Sequence, residues 1–121
     1  MKRTILFVDD SNSIRKAVGT LLENIGFNVI IADDGSEAYE KLDGTEIHLI
    51  ITDLHMPEMN GIELIRAARK LENYKYIPML LLTTETLIEK KREAKAAGAT
   101  GWLEKPFKNE KLERVIKKVL R

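Results

Sequence analysis

Two hydrophobic patterns alternate along the chain. A short apolar run over residues 4–8 is followed by apolar residues spaced three and four positions apart, which is the period of an amphipathic helix. These helical positions are Ile14, Ala17, Val18, Leu21, Leu22 and Ile25. The sequence therefore predicts that a strand and then a helix open the chain.

The same pair of patterns recurs up to the last residues. The further predicted pairs of strand and helix are 29–32 with 36–42, 47–52 with 61–71, and 77–83 with 87–97. Trp102 and Leu103 mark a fifth strand, which a closing helix follows. The apolar stripe of that helix is Leu112, Val115, Ile116, Val119 and Leu120.

Five strands that alternate with five helices predict an α/β fold. Right-handed crossovers place the strands parallel and cover both faces of the sheet with helices, giving a doubly wound five-stranded sheet. The runs 49–51 and 79–82 are apolar at every position, as expected of strands buried on both faces. Among the common orders of such sheets we adopt 2-1-3-4-5.

Composition limits the chemistry that the chain can perform. The 121 residues are 44% hydrophobic and 32% charged, with no linker, repeat or apolar run of membrane-spanning length, so we expect one domain over residues 1–121. The apolar stretch near the N-terminus is too short for a signal peptide, and we expect a cytoplasmic protein. Because there is no cysteine, oxygen and imidazole are the available metal ligands, which favours hard cations.

Charge is distributed unevenly along the chain. Residues 1–85 carry 9 basic and 14 acidic side chains, a net charge of −5, whereas residues 86–121 carry 11 and 5, a net charge of +6. Acidic residues interrupt the basic ones in the second part, as on solvated helix faces. We therefore expect neither a nucleic-acid nor a membrane partner.

Polar side chains follow four of the five predicted strands. Asp9 and Asp10 follow the first strand, Asp53 the third, Thr83 and Thr84 end the fourth, and Glu104 and Lys105 end the fifth. Ligands of doubly wound sheets bind beyond the carboxyl ends of the strands, and the order adopted here puts strands one and three side by side. The three aspartates are therefore expected to meet.

Three carboxylates in one hollow need a positive charge. At separations of about 5 Å and an effective dielectric of about 20, each pair repels by roughly 3 kcal/mol. Lys105 and a divalent ion together would neutralise the hollow, and Mg²⁺ (or Mn²⁺) prefers carboxylate oxygens, waters and phosphate. An acyl phosphate on Asp53 would add negative charge, for which Thr83 and Lys105 are suitable donors.

Each of these residues also has a simpler interpretation. Asp9, Asp10 and Ser11 could cap the first helix, Thr83 could be an ordinary strand residue, and Lys105 a surface lysine. Asp53 could be a loop acid. The hypothesis of a phosphate site rests on all of them occurring together at the strand ends that the predicted fold brings together.

With these residues in place, the whole chain resembles a response-regulator receiver domain of the CheY type. The matching segments are Phe7-Val8-Asp9-Asp10-Ser11, Thr52-Asp53-Leu54-His55-Met56-Pro57, Gly61, Thr83 and Lys105-Pro106-Phe107. The resemblance implies that Asp53 accepts the phosphoryl group and that Thr83 and Lys105 hold its oxygens. It also implies a cis peptide bond between Lys105 and Pro106.

The resemblance further implies a Mg²⁺ site. Asp10 would bind the ion directly and Asp9 through water, with Asp53 and the main-chain carbonyl of His55 completing the protein ligands. Two positions depart from the family pattern: Trp102 stands where the switch aromatic is commonly Tyr or Phe, and Thr84 where Ala is usual. Trp102 could also be a plain core or surface residue. His55 and Glu85 occupy the variable positions beside the site, where they are expected to tune hydrolysis.

The expected function is that of a two-component response regulator. A sensor histidine kinase would donate to Asp53, and helix four, strand five and helix five would change their surface. The segments 83–85 and 95–102 resemble chemotaxis regulators, and the chain ends after helix five, so a protein contact with the flagellar motor switch is expected instead of an output domain. The domain would catalyse its own phosphorylation and dephosphorylation without a separate substrate. A phosphatase is a further candidate partner, and a monomer is expected.

Three alternatives stay open. The chain could be an interaction module without phosphotransfer, although all five site residues are present. It could be a flavin-binding relative of flavodoxin, although Asp9 and Asp10 would repel the flavin phosphate. The third alternative is a role other than motor control, either as a phosphate sink that drains a kinase or as a non-chemotactic single-domain signalling receiver.

Overall fold

The chain folds into five parallel strands that alternate with five helices. The computed structural model describes residues 2–121. The strands are β1 (Thr4–Val8), β2 (Asn28–Ala32), β3 (Leu49–Thr52), β4 (Met79–Thr83) and β5 (Gly101–Glu104). The helices are α1 (Asn12–Asn24), α2 (Gly35–Lys41), α3 (Gly61–Ala68), α4 (Ile88–Ala97) and α5 (Asn109–Val119).

The strand order determines which residues meet at the carboxyl edge of the sheet. The order is β2-β1-β3-β4-β5, which confirms the prediction. Val8 is in register with Thr52, so that Asp9 and Asp53 leave the ends of adjacent parallel strands side by side. Thr83 is in register with Glu104, which brings Lys105 to the same edge.

Two hydrophobic layers enclose the sheet. Residues such as Leu6, Val8 and Ile50 face a cluster that includes α2, α3 and α4. Their neighbours in sequence, such as Phe7 and Ile51, face a second cluster with α1 and α5. Because successive side chains point to opposite faces and both faces are covered, β1, β3 and β4 are almost entirely apolar.

Some element boundaries differ from the prediction for local reasons. Helix α3 ends at Ala68 instead of residue 71, because the next turns tighten to three-residue hydrogen bonds, from Lys70 N–H to Ala67 and from Leu71 N–H to Ala68. Ala17, which belongs to the predicted apolar stripe of α1, is exposed.

Among residues 2–121 no helix combines the length and apolar character that a membrane crossing requires.

Helix α4 is held more weakly than the other long helices. Its buried residues are the small side chains Ala94 and Ala97, whereas α3 buries three large aliphatic residues. Its N-cap, Leu87, provides no side-chain hydrogen bond, and Leu87 and Ile88 are 55% and 63% exposed. Little buried apolar area therefore anchors the start of α4.

Gly61 allows α3 to begin directly against the end of β3. A Cβ atom at position 61 would lie 2.1 Å from the main-chain oxygen of Asp53 and 2.9 Å from a Leu81 methyl carbon. Neither neighbour can move aside easily, because the Asp53 oxygen is part of the backbone and Leu81 is buried in the core. A side chain at position 61 would therefore push the loop that carries Asp53.

We predict that Gly61→Ala lowers the free energy of unfolding by about 1–3 kcal/mol, because the methyl group overpacks a rigid site. Urea denaturation measures the change. The matched control is Gly19→Ala within α1, where the new Cβ meets the Ile31 Cδ1 atom at 3.2 Å. Ile31 is 39% exposed and can move aside, so this variant is expected to be neutral or more stable by up to about 1 kcal/mol. Equal stability of the two variants would contradict the account.

Candidate functional site

Three carboxylates meet at the carboxyl edge of the sheet. Asp9, Asp10 and Asp53 each place an oxygen within 4.8 Å of the others. The Asp9 side chain is 1% exposed and that of Asp53 is 13% exposed, whereas Asp10 faces solvent. Adjacent strands β1 and β3 thus produce the acidic hollow that the sequence predicts.

Lys105 reaches into this hollow from the end of β5. Its Nζ atom lies 2.7 Å from Asp9 Oδ2 and 3.3 Å from Asp53 Oδ2, and its side chain is 13% exposed. The peptide bond between Lys105 and Pro106 is cis, as the resemblance implies. One ammonium group therefore bridges two carboxylates that come from different strands.

Electrostatics keeps the lysine charged. Burial disfavours the charged ammonium, but the hydrogen bond to Asp9 and the negative charges of Asp53 and Asp9 outweigh it, so that the pKa of Lys105 is raised above 10.5. Three carboxylates and one lysine leave a formal charge of −2 in the hollow. A divalent cation would balance that charge, and the carboxylate oxygens present are those that Mg²⁺ prefers.

The three carboxylates differ in how many partners they already have. Asp9 accepts hydrogen bonds from the Ser11 N–H at 2.9 Å and from Lys105, and Asp53 accepts them from the Leu54 N–H at 2.7 Å and from Lys105 at 3.3 Å. For the Asp10 carboxylate no hydrogen bond or ion pair is found among residues 2–121. This difference agrees with the implied roles of Asp10 as a direct ligand and Asp9 as an indirect one, which stay predictions.

The interpretation of the first turn as a helix cap is also correct in part. Ser11, and neither of the aspartates, is the N-cap of α1, and its Oγ accepts from the Ile14 N–H at 3.3 Å. Capping by the serine leaves both carboxylates available to the hollow. The two interpretations are therefore compatible.

Thr83 ends β4 and is fully buried. Its hydroxyl oxygen accepts a hydrogen bond from the Glu85 N–H at 3.3 Å, and no acceptor for its hydrogen is found among residues 2–121. The hydroxyl can therefore still donate. Thr84, next to it, is exposed.

A hydrogen bond between side chains that the sequence alone did not predict bridges the loops after β3 and β4. His55 Nε2 lies 2.9 Å from Glu85 Oε1, and the two side chains are 59% and 14% exposed. Hydrogen bonds from the Leu87 N–H, from His55 and from the Thr86 N–H hold the pKa of Glu85 below its ordinary value, against the opposing effect of burial. The sequence offers one clue to this contact, because a histidine and a glutamate stand just beyond the ends of adjacent strands. The position of the His55 carbonyl as a metal ligand stays a prediction.

Trp102 lies on β5 and packs against the cluster beneath α4. Its indole Nε1–H is buried without a hydrogen-bond partner among residues 2–121. Lys91 Nζ from α4 lies 5.8 Å from the centre of the Trp102 ring and 2.9 Å from Glu104 Oε1. Trp102 therefore joins α4 to the sheet in this conformation, and its role as a switch stays a prediction.

We predict that Lys105→Met destabilises the metal-free protein by about 3 kcal/mol at neutral pH, because Asp9 loses the cation that compensates its burial. Since the pKa of Lys105 is raised in the folded state, its contribution is complete below pH 10.5 and is lost as the pH rises through the raised pKa. The difference in free energy of unfolding between wild type and Lys105→Met should therefore shrink in alkaline solution. Urea titrations at several pH values measure it, and a difference that grows with pH would refute the assignment.

We predict that Asp10→Asn increases the free energy of unfolding in metal-free, low-salt buffer by about 1–2 kcal/mol, because an exposed carboxylate near two others is removed and no hydrogen bond is lost. High salt should reduce this gain. Asp43→Asn is the control, since Asp43 lies outside the hollow and accepts hydrogen bonds from the N–H and hydroxyl of Thr45. It should not stabilise the protein, and a gain in both variants would argue against repulsion within the hollow.

Comparisons with known proteins agree with this geometry. The family model described as the response regulator receiver domain matches residues 5–117. The chain is 39% identical to the chemotaxis protein CheY of Pseudomonas aeruginosa over 116 residues, which are 95% of this chain and 94% of that protein. The fold therefore comes with a family assignment over nearly its whole length.

Solved structures are similar over the same extent. The structure of the Vibrio cholerae chemotaxis protein CheY4 matches with a TM-score of 0.95 and 47% identity, covering 99% of this chain and all of that one. The receiver domain of a Pseudomonas aeruginosa sensor histidine kinase, solved with a magnesium ion coordinated in its active site cleft, matches with a TM-score of 0.91 and 26% identity, covering 99% and 98%. The chain therefore belongs to the response regulator receiver domain family, as a CheY-like member.

Proposed function

We propose that this domain accepts a phosphoryl group on Asp53 from a sensor histidine kinase of the chemotaxis type, in a reaction that depends on Mg²⁺ or Mn²⁺. The observation that carries the proposal is the hollow in which three carboxylates and Lys105 meet. Such a hollow is poorly tolerated without a further cation, and a phosphoryl group brought next to that cation lies beside Asp53. We place this reaction in the cytoplasm and assign it to a monomer.

The transfer requires one bond to form and one to break. A carboxylate oxygen of Asp53 attacks the phosphorus of the phosphohistidine, the bond from phosphorus to nitrogen breaks, and the imidazole leaves with its electron pair. Lys105 neutralises charge that develops on the phosphoryl oxygens. A divalent ion, held by Asp9, Asp10, Asp53 and the His55 carbonyl, would supply further positive charge to those oxygens.

After the transfer the hollow holds more negative charge than before. An acyl phosphate carries about two negative charges where the carboxylate carried one. Lys105 is already aimed at Asp53, and the buried Thr83 hydroxyl has a hydrogen left to donate. Both groups can therefore compensate the added charge, and a movement of Thr83 toward it would disturb the loop that leads into α4.

The output surface is formed by α4, β5 and α5. The Glu85 carboxylate accepts hydrogen bonds from the N–H groups of Thr86 and Leu87, at 3.0 and 3.1 Å, so the loop after β4 is tied to the start of α4. Few large side chains anchor that helix, and its Lys91 contacts Glu104 and Trp102 on β5. A change at Thr83 can thus shift the population of conformers of this surface.

The proposed partner of the phosphorylated form is the flagellar motor switch. Support comes from relatives that are named as chemotaxis proteins and match almost the full length of the chain. A phosphatase that removes the phosphoryl group is a further proposed partner. In the alternative role of a phosphate sink, the domain would exchange phosphoryl groups with the kinase and would not bind the motor.

Incubation with acetyl phosphate and Mg²⁺ should add the mass of one phosphoryl group to the chain. Asp53→Asn should abolish the addition because the attacking oxygen is lost, and a chelator should abolish it by removing the cation. The matched control is Asp43→Asn, which changes an exposed aspartate outside the hollow and should leave the addition intact. Intact-protein mass spectrometry measures it, and a wild-type chain that stays unmodified would contradict the proposal.

Co-precipitation with a flagellar motor switch protein tests the output. Retention should increase when the domain is phosphorylated, and Asp53→Asn should show no increase. A phosphorylated domain that is retained no better than the unmodified one would favour the phosphate sink. That result would leave the phosphoryl-transfer proposal in place.

A further inference from the structure

Arg15, on the first turns of α1, reaches back to the end of β1. Its Nη1 atom donates to the main-chain oxygen of Asp9 at 2.7 Å. Its Nε atom lies 3.4 Å from Asp33 Oδ1, in the loop after β2, and its side chain is 14% exposed. The guanidinium, itself largely shielded from water, therefore ties three segments together, while its partner Asp33 is 61% exposed.

The oxygen that Arg15 holds belongs to the peptide that joins Asp9 to Asp10. Because a peptide unit is planar, fixing its oxygen fixes the direction in which the chain continues to Asp10. The other polar groups of Asp9 already have partners: its N–H donates to the Ala32 oxygen at 3.2 Å, and its carboxylate is bound as described above. With Arg15 in place, the backbone at Asp9 has a partner at each polar atom.

Asp10 depends on this backbone for its direction. No hydrogen bond or ion pair of its carboxylate is found among residues 2–121, so no side chain in that range aims it at the hollow. Its carboxylate oxygen nevertheless lies within 4.8 Å of oxygens of Asp9 and Asp53. The Asp10 side chain therefore projects toward these oxygens from a peptide whose own oxygen is bound by Arg15.

We propose that Arg15 is a positioning residue for the divalent-cation site, which acts by holding the peptide between Asp9 and Asp10 so that the Asp10 carboxylate faces the hollow. The inference rests on the proposed function, because it needs a cation to bind there. It assigns to Arg15 of α1 a part in ion binding in addition to that of the predicted ligands.

Two effects of Arg15 on a bound cation have opposite signs. The positive charge of Arg15 lies close to the hollow and would by itself disfavour the binding of Mg²⁺. Its hydrogen bond to the Asp9 oxygen favours the cation by orienting a ligand, and outer partners of this kind typically contribute about 10–100-fold to metal affinity. The sign of the change on removing Arg15 therefore separates positioning from simple charge repulsion.

The experiment measures the dissociation constant of Mg²⁺ alone, from backbone amide chemical shifts during a titration of the metal-free protein. Arg15→Met should weaken binding by about tenfold although a repelling charge is removed. The matched control is Lys16→Met, which removes a neighbouring exposed cation and should leave affinity unchanged or tighter. Asp33→Asn, which breaks the ion pair but keeps the hydrogen bond to Asp9, should leave affinity unchanged.

Affinity that is unchanged or tighter in Arg15→Met would overturn the inference. If that variant does not fold, Arg15→Lys decides, since it keeps the charge without the planar fork: weaker binding supports positioning and equal binding overturns it. A wild-type protein that binds Mg²⁺ with these variants unaffected refutes the inference alone. A wild-type protein that does not bind Mg²⁺ refutes the proposed cation site as well.

Discussion

Repulsion among carboxylates at the ends of β1 and β3 is the constraint on which the rest of the structure depends. Parallel pairing of β1 with β3 in the register of Val8 with Thr52 forces Asp9 and Asp53 together, and one lysine from β5 partly neutralises them. Repulsion of roughly 3 kcal/mol for each close pair of carboxylates is large compared with the free energy of unfolding of a small domain. The fold tolerates the hollow because its strands are otherwise apolar and covered on both faces. Under the proposed function, this excess negative charge would attract the divalent cation, and the cation would in turn attract the phosphoryl group.

The same edge of the sheet connects this charge to the weakly anchored helix α4. Thr83 ends β4 and has a hydroxyl hydrogen left to donate. The loop after it contains Glu85, which binds both His55 and the first N–H groups of the turn into α4. Helix α4 has the weakest apolar anchor of the long helices, whereas α3 is firmly packed and starts against Asp53 through Gly61. Under the proposed function, charge added at Asp53 would therefore be transmitted more easily to α4 than to α3. This asymmetry gives a physical reason for placing the output on the face of α4, β5 and α5.

The fold could be predicted because its hydrophobic patterns are long and regular, and because buried parallel strands are apolar at every position. Convergence of the aspartates followed from that fold together with one borrowed sheet order. Three side-chain contacts could not be predicted, because they depend on the direction in which each side chain points. They are the hydrogen bond of His55 with Glu85, the contact of Lys91 with Trp102, and the hydrogen bond from Arg15 to the Asp9 oxygen. Each contact joins residues that are unrelated by the helix or strand repeat, so the hydrophobic pattern does not indicate it. The early end of α3 was missed for a similar reason, because its last turns tighten without any proline or glycine to mark them.

Crystals grown or soaked with Mn²⁺ offer the most direct test of the central claim, since Mn²⁺ can replace Mg²⁺ on carboxylate ligands and is visible by anomalous scattering. An anomalous difference map should show one strong peak in the hollow, within coordination distance of Asp10 and Asp53, with Lys105 still bound to a carboxylate. Crystals of Asp53→Asn treated in the same way should show a weaker peak or none. A map of the wild-type protein without a peak in the hollow, at Mn²⁺ concentrations in the millimolar range, would contradict the claim that this acidic cluster exists to hold a divalent cation.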